Sequence, residues 1–213
     1  MSAAPIRPWI LLAGPLAAAL LLARCTSSHR PPAATSAALE SVGLYRGSLE
    51  DASGHASRFR LLLFAALPDR LHAEVLPPVG TPRLILDGGG GRLAISVLRT
   101  RVAYVGDAGA EAVRRAIGAP ISLSALVRSI VLGENPDAPG VTVAREPDDP
   151  QGFAETFEVR WEGSSLRLEL VRKQPLRNPG PGLGSGAPPE GFAVRSLEQI
   201  GEGEAPLLLE AEQ

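Results

Sequence analysis

The stretch ETFEVRWEGSSLRLELVR, residues 155–172, decides the fold class of this chain. Before the turn EGSS, every second residue is apolar from Phe157 to Trp161, and after the turn the same holds from Leu166 to Leu170. Alternation with a period of two gives a strand one apolar face and one charged face. The stretch therefore predicts an antiparallel hairpin that covers a core with one face and meets water with the other.

Strand patterns of the same kind recur in the rest of the chain, and turn residues separate them. The glycine run DGGGGR lies between two of them, which predicts a hairpin turn rather than a phosphate cradle, since a cradle needs a following helix. The spacing between segments is typical of an antiparallel meander. The predicted strands are residues 43–51, 57–67, 69–76, 82–87, 92–100, 101–106 and 140–146.

Two segments in the middle of the chain change to a helical period. In DAGAEAVRRAIG, residues 107–118, an apolar stripe ends at Gly118, and Asp107 is the predicted N-cap. In ISLSALVRSIVLG, residues 121–133, apolar residues recur at i, i+3, i+4, i+7 and i+8 from Leu123 onward. Ser122 is the predicted N-cap of this second helix and Gly133 its terminator.

These patterns predict a mainly β protein with α, in which two short amphipathic helices bury their stripes against an antiparallel sheet. An incompletely closed barrel capped by such helices leaves an apolar cavity. The alternative is that the helices fill the barrel and form an ordinary core. The sequence does not separate a cavity from a filled core.

The chain is predicted to contain an export signal, a tether and one domain. Residues 1–25 contain an apolar run of fifteen uncharged residues, 9–23, and end at Cys25, the single cysteine of the chain. That run is short for a membrane-spanning helix and typical of an export signal. Residues 26–38 are rich in proline and small residues, which indicates a flexible tether. Residues 39–213 form the domain, with a Pro/Gly-rich loop at 174–191 and two final strands after it.

Cys25 has two interpretations. Leu22 and Ala23 before it match a lipoprotein signal, which makes Cys25 a lipid attachment site, whereas Arg24 stands where the processing peptidase favours a small residue. The alternative is a signal without lipidation that is cut later, within residues 33–38. If Arg24 blocks processing altogether, the uncut signal leaves an inner-membrane anchor.

Composition and motifs argue against several classes of function. A net charge of −2 and 4% aromatic residues provide neither the basic patch nor the stacking platforms of nucleic-acid binders. The three histidines lie in separate segments, so no metal site is predicted, and no cofactor motif is present. No serine lies in a nucleophile elbow. We therefore expect a protein that is not an enzyme and has no catalytic residues.

The segment GAPISLSALVRSIVLG, residues 118–133, resembles the LolA/LolB superfamily of lipoprotein carriers, and is most similar to its outer-membrane receptor branch, LolB. The upstream stretches LPDRLHAEVLPPVGTPRLILD and YVGDAGAEAVRRAIG are also similar to family segments, and the resemblance spans roughly residues 42–171. The matching positions in the first segment are Gly118, Pro120, Ile121, Leu123, Leu126, Leu132 and Gly133.

The resemblance implies a half-open antiparallel β-barrel capped by short helices, with a cavity that holds acyl chains of lipoproteins in transit. It implies acylated lipoproteins as cargo, a LolA-like periplasmic carrier as partner, and a monomer anchored through lipid to the periplasmic face of the outer membrane. Thr26 after Cys25 agrees with outer-membrane sorting. Soluble periplasmic location is the alternative if Cys25 is not lipidated.

Two sets of site residues follow from the resemblance. Val79, in PPVG, is the expected side chain of a protruding loop that hands cargo to the membrane. The other set contains the apolar residues expected to point into the cavity, each of which can equally belong to a plain core. These residues are Phe64, Leu84, Leu86, Ile95, Val97, Leu126, Ile130, Phe157, Val159, Trp161, Leu166, Leu168 and Leu170.

The sequence leaves three hypotheses about the function of the protein open. The first is a LolB-like receptor that accepts and inserts lipoproteins. The second is a lipoprotein of the same fold that binds another hydrophobic ligand or envelope component. The third is a structural envelope lipoprotein with a filled core and no ligand.

Overall fold

The computed structural model of the chain describes residues 41–77, 81–146, 154–175 and 182–200. Every described residue belongs to the compact unit Ser36–Gln213. The buried core formed by the described residues lies in this unit. The predicted signal and tether, with Cys25, lie outside the described residues.

In the described ranges, ten strands form one open, unclosed sheet, which makes the protein mainly β with α. Neighbouring strands are antiparallel except β10 and β6, which run parallel. Across the sheet, the order is β10-β6-β5-β4-β3-β2-β1-β9-β8-β7. The strands are β1 (Ser41–Glu50), β2 (Ala56–Ala66), β3 (Arg70–Leu76), β4 (Leu84–Gly89), β5 (Arg92–Val97), β6 (Val102–Asp107), β7 (Val141–Glu146), β8 (Thr156–Trp161), β9 (Ser164–Pro175) and β10 (Ala193–Ser196).

The hairpin that decides the fold class is confirmed as β8 and β9. Phe157 pairs with Leu168 and Val159 with Leu166, so the apolar residues of the two strands share one face. The turn is only two residues long, and both Glu162 and Gly163 have positive φ, as a type I′ turn requires. The glycine run between β4 and β5 forms a second hairpin turn of this kind.

Two helices interrupt the strands, α1 (Ala110–Ile117) and α2 (Leu123–Leu132). Their predicted apolar stripes are confirmed as buried, and both helices end at glycines in the left-handed conformation. Ser122 caps α2 as predicted, because its hydroxyl accepts a hydrogen bond from the amide of Ala125 at 3.3 Å. In the described part of the chain, no helix has the length and hydropathy to cross a membrane.

The predicted N-cap of the first helix is wrong. Asp107 is the last residue of β6, where it pairs with Arg92, and the helix begins after Gly109, whose backbone is extended. The strand continues through Asp107 because its backbone hydrogen bonds are taken by β5. Sequence signals for a cap do not reveal this competition with a neighbouring strand.

One face of the sheet, here called the inner face, carries the two helices. Its residues alternate along each strand and form a continuous buried core with the helical stripes. At Gly88 the inner face has no side chain, and a Cβ placed there would lie 2.4 Å from a terminal methyl of Leu123. Gly88 therefore lets α2 approach the backbone of β4 closely.

The opposite, outer face is partly buried as well. Residues 182–200, here called the strap, contact this face at β4 and then add β10 to the edge of the sheet beside β6. A Cβ at Gly89 would lie 2.1 Å from the carbonyl oxygen of Gly184, so backbone lies directly against backbone. Buried outer-face residues that do not join the helix-side core are Phe64, Ala66, Ala94, Ala103 and Val105.

The strap replaces much of the predicted Pro/Gly loop and final strands. β9 continues to Pro175, and Gly184 and Gly186 bond to the sheet. The first of the two predicted final strands is the short β10, which a 3₁₀ turn, Leu197–Gln199, follows. This strand is parallel to its neighbour, whereas a meander predicts antiparallel pairing. The second predicted final strand, after residue 200, lies outside the described residues.

The close approach at Gly88 leads to a prediction about stability. We expect Gly88→Val to lower the free energy of unfolding by about 1–3 kcal/mol, because its side chain overlaps Leu123 in a packed core. Denaturant unfolding measures the change. Gly182→Ala is the control, since a Cβ there meets open space. Equal effects of the two substitutions would contradict the predicted packing.

Candidate functional site

The space between the inner face and the two helices contains an apolar cavity. Strands β2 to β5 form one side of it, β8 and β9 the other, and α1 and α2 cover it. All of the lining residues are apolar, so the cavity offers neither a hydrogen-bond donor nor a charge. They are Phe59, Leu61, Leu63, Leu71, Ala73, Leu86, Leu93, Val113, Ala116, Ile117, Leu123, Leu126, Ile130, Phe157, Leu166 and Leu168.

The cavity is small in this conformation, with a volume of about 50 Å³. Pockets that bury a drug-sized ligand measure roughly 300–1,000 Å³. The present volume is a packing gap between helices and sheet rather than room for a chain of many carbons. An acyl chain therefore fits only if α1 and α2 move away from the sheet.

The structure places the predicted cavity residues in four groups. Six of them line the cavity: Leu86, Leu126, Ile130, Phe157, Leu166 and Leu168. Four are buried in the helix-side core without lining the cavity: Leu84, Ile95, Val159 and Trp161. Two are half-buried and pack against that core, Val97 and Leu170. The last is Phe64, which lies on the other face.

Phe64 differs because strand alternation puts it on the outer face of β2. Leu61 and Leu63 line the cavity, so the residue after Leu63 points away from it. The guanidinium of Arg70 lies over the Phe64 ring at 5.8 Å from its centre. The end of β2 is apolar on both sides because both of its faces are covered, and a continuous apolar run hides the phase of the alternation.

Ten lining residues lie outside the set expected from the sequence. The signal for part of them is present at the start of β2, where Arg58 and Arg60 alternate with Phe59 and fix the odd-numbered residues on the inner face. If the same alternation continues along β2, Leu61 and Leu63 also lie on the inner face. Val79, the expected handover residue, lies outside the described residues, as does the lipid attachment site Cys25.

The C-terminal part of the strap holds α1 in place. The guanidinium of Arg115 donates hydrogen bonds to the carbonyl oxygens of Leu197 at 3.0 Å and Ile200 at 2.8 Å. The side chains of Leu197 and Ile200 are buried in the helix-side core. Arg115 also pairs with Glu111 one helical turn earlier. The segment Leu197–Ile200 is therefore a latch on the helix that covers the cavity.

The other end of the strap is held by a buried carboxylate. Asp87 is 6% exposed and accepts backbone hydrogen bonds from three consecutive amides, those of Gly184, Ser185 and Gly186, at 2.7–3.0 Å. It also contacts His72, whose Nδ1 lies 2.8 Å from an Asp87 oxygen, while Nε2 lies 3.1 Å from Glu74. We call His72, Glu74 and Asp87 the clasp.

Electrostatics strengthen the clasp. Burial by itself lowers the pKa of His72, but its hydrogen bonds to Asp87 and Glu74 outweigh burial and raise the pKa to about 9. Burial likewise favours the neutral form of Asp87, but the His72 ring and the strap amides outweigh it and hold the pKa of that carboxyl below its usual value. At neutral pH the clasp therefore holds a positive imidazolium of His72 against the ionised carboxylate of Asp87.

The clasp does not form a metal centre. The two ring nitrogens of His72 point to different carboxylates, so the oxygens of Asp87 and Glu74 lie on opposite sides of the ring. Over the described ranges as a whole, no group of three or more His, Cys, Asp or Glu side chains is placed to hold a metal ion.

Comparison with known proteins leaves the family of this chain open, since no protein-family model and no curated protein sequence matches it.

The clasp predicts a pH dependence of stability. Because the folded pKa of His72 is raised from its ordinary 6.5 to about 9, its contribution is complete below pH 6.5 and fades as the pH rises through 9. We expect the stability difference between the protein and His72→Gln to be larger at pH 6 than at pH 9.5, by on the order of 2 kcal/mol. Urea unfolding at both pH values measures it.

His55→Gln, in the exposed turn between β1 and β2, is the control for removal of a histidine as such. A stability difference for His72→Gln that is the same at both pH values would rule out a charged clasp.

Proposed function

We propose that the sheet is a half-open antiparallel β-barrel, that α1 and α2 are its lid, and that the space beneath them accepts acyl chains. In this proposal Cys25 carries a lipid anchor and the domain faces the periplasm. The protein is then a LolB-like receptor, which takes lipoproteins from a LolA-like carrier and inserts them into the outer membrane.

The observation that carries this proposal is the apolar lining of the cavity beneath the two helices. Its sixteen lining side chains include no polar group, and they come from both halves of the sheet as well as from both helices. Each methylene group of an acyl chain that leaves water gains about 0.8 kcal/mol. An apolar lining therefore binds acyl chains without specific polar contacts, and it releases them to a more apolar site.

The lid has to open for binding, and its construction is compatible with movement. The helices are short, with eight residues in α1 and ten in α2, and a five-residue connection joins them. Glycines in the left-handed conformation stand at both C-termini. The described conformation is then the closed, unloaded one, in which lid and sheet bury each other's apolar faces.

The second candidate is a lipoprotein of the same fold that binds another hydrophobic ligand, and the third is a structural lipoprotein without a ligand. The apolar lining of the cavity favours the two candidates that bind a hydrophobic ligand. The small volume of the cavity favours the structural candidate, unless α1 and α2 move away from the sheet. Binding and transfer measurements separate all three.

The decisive measurement uses the unit Ser36–Gln213, which contains the complete described core. We expect it to bind a fluorescent fatty acid that palmitate displaces, and to remove a lipoprotein from a loaded LolA-like carrier. Ala73→Leu fills the cavity from the sheet side and overpacks it, so it should weaken fatty-acid binding at least about tenfold and lower the free energy of unfolding by about 1–3 kcal/mol. Ala144→Leu, at an exposed position of β7, is the matched control.

The outcomes assign the function. Binding with transfer supports the receptor, binding without transfer supports the second candidate, and no binding of any lipid leaves the structural one. Equal binding by Ala73→Leu and Ala144→Leu would place the ligand elsewhere.

If the latch restrains α1, its removal should increase the rate at which the lid opens. Arg115→Gln removes the two hydrogen bonds to the strap, so fatty-acid uptake should become up to about 30-fold faster in stopped-flow fluorescence, since each net bond contributes on the order of 1 kcal/mol. Arg114→Gln is the control, because Arg114 lies beside Arg115 on the same helix and also bonds to Glu111. An unchanged uptake rate in Arg115→Gln would mean that the strap does not restrain the lid.

A further inference from the structure

We infer that the part of the outer face left uncovered by the strap is a docking surface for anionic phospholipid headgroups. The surface consists of Arg46 on β1 and Arg58 and Arg60 on β2, and we call it the arginine face. The inference deepens the proposed function, and it rests on that proposal only for placing the protein at a membrane.

The strand register brings the three arginines together. Arg46 pairs directly with Arg60 across β1 and β2, and Arg58 pairs with Ser48, the next outer-face residue of β1. Directly opposed residues of an antiparallel pair have Cβ atoms about 4.5–5.5 Å apart. All three side chains are exposed. They point away from the cavity, since Phe59 and Leu61, the residues that alternate with Arg58 and Arg60 on β2, line it.

Two carboxylates among the described residues, Glu50 on β1 and Glu169 on β9, border this face, but neither is paired with its arginines. Over the described residues, none of the three arginines forms an ion pair or a side-chain hydrogen bond. The nearest carboxylate on β9, Glu169, lies opposite Arg46 but is bonded to Arg167 at 3.1 Å. A further exposed arginine, Arg172, lies opposite Leu44 at the other end of the face.

This arrangement is unfavourable for folding and favourable for an anionic partner. Like charges placed directly opposite each other destabilise a strand pair, and Arg46 and Arg60 repel each other without a carboxylate between them. The chain as a whole has a net charge of −2, so the positive charge is a local concentration and not a consequence of composition. Guanidinium groups bind phosphate well, and an exposed sheet surface fits an extended layer of headgroups.

The position of the face along the chain agrees with a membrane partner. β1 begins at Ser41, five residues before Arg46, and the segment between Cys25 and Ser41 spans at most about 55 Å when extended. A lipid anchor at Cys25 therefore leaves the arginine face within reach of the same bilayer. A single acyl chain binds a membrane only weakly, and an additional basic patch makes the association stable.

The test measures sedimentation of the unit Ser36–Gln213, which lacks the anchor, with vesicles. We expect it to bind vesicles that contain phosphatidylcholine and phosphatidylglycerol, not phosphatidylcholine alone, and to be released by high salt. The triple variant Arg46→Gln, Arg58→Gln and Arg60→Gln should bind about 100-fold more weakly, since each basic residue near an anionic surface contributes about fivefold.

The control is the variant Arg99→Gln, Arg128→Gln and Arg195→Gln, which loses the same charge at exposed positions elsewhere and should bind as the unmodified unit does. Circular dichroism and unfolding curves check that both variants fold. Equal binding to the two vesicle types, or undiminished binding of the Arg46, Arg58 and Arg60 variant, would overturn the inference. So would retention on immobilised polyglutamate without vesicle binding, which identifies an acidic protein as the partner.

Fatty-acid binding separates this inference from the proposed function. The arginine-face variant should take up fatty acid as the unmodified unit does. If the unit binds anionic vesicles but no fatty acid, the result supports the docking surface and contradicts the acyl-chain site.

Discussion

An open sheet has two faces that must both be covered where they are apolar, and this constraint shapes the rest of the structure. The inner face is covered by α1 and α2, which bury their stripes against it. The outer face is covered at β4 by the strap, which Asp87 holds through three backbone amides. The exposed part of the outer face includes the charged residues Arg46, Arg58 and Arg60.

The two covers are connected, because the strap continues from the clasp around the sheet edge to the helices. Asp87 fixes residues 184–186, β10 joins the edge beside β6, and Leu197 and Ile200 enter the helix-side core. Arg115 then bonds to the carbonyl oxygens of both residues. A charged cluster on one face thus supports a helix on the other. This connection gives the proposed lid a restraint that is independent of its own apolar contacts.

Much of the fold followed from local patterns, whereas the site followed only in part. The β8–β9 hairpin, the glycine turn, the stripes of both helices and the cap at Ser122 were predictable, since period and capping depend on residues a few positions apart. Six expected residues line the cavity. Phe64 was placed on the wrong face because the apolar run from Leu61 onward hides the alternation. Asp107 resembles a cap in sequence, but pairing with β5 keeps it in β6.

The sequence by itself determined the mainly β architecture, the strand faces wherever charges alternate with apolar residues, and the two amphipathic helices. These features depend on periodicity, which every short segment carries in itself. The tertiary structure alone decided that residues 182–200 cross back to β4 and β6, that His72 is charged between Asp87 and Glu74, and that Arg46 faces Arg60. These contacts join residues far apart in the chain, and their partners are selected by register and by the burial of polar groups that must find hydrogen bonds. No local pattern encodes those conditions.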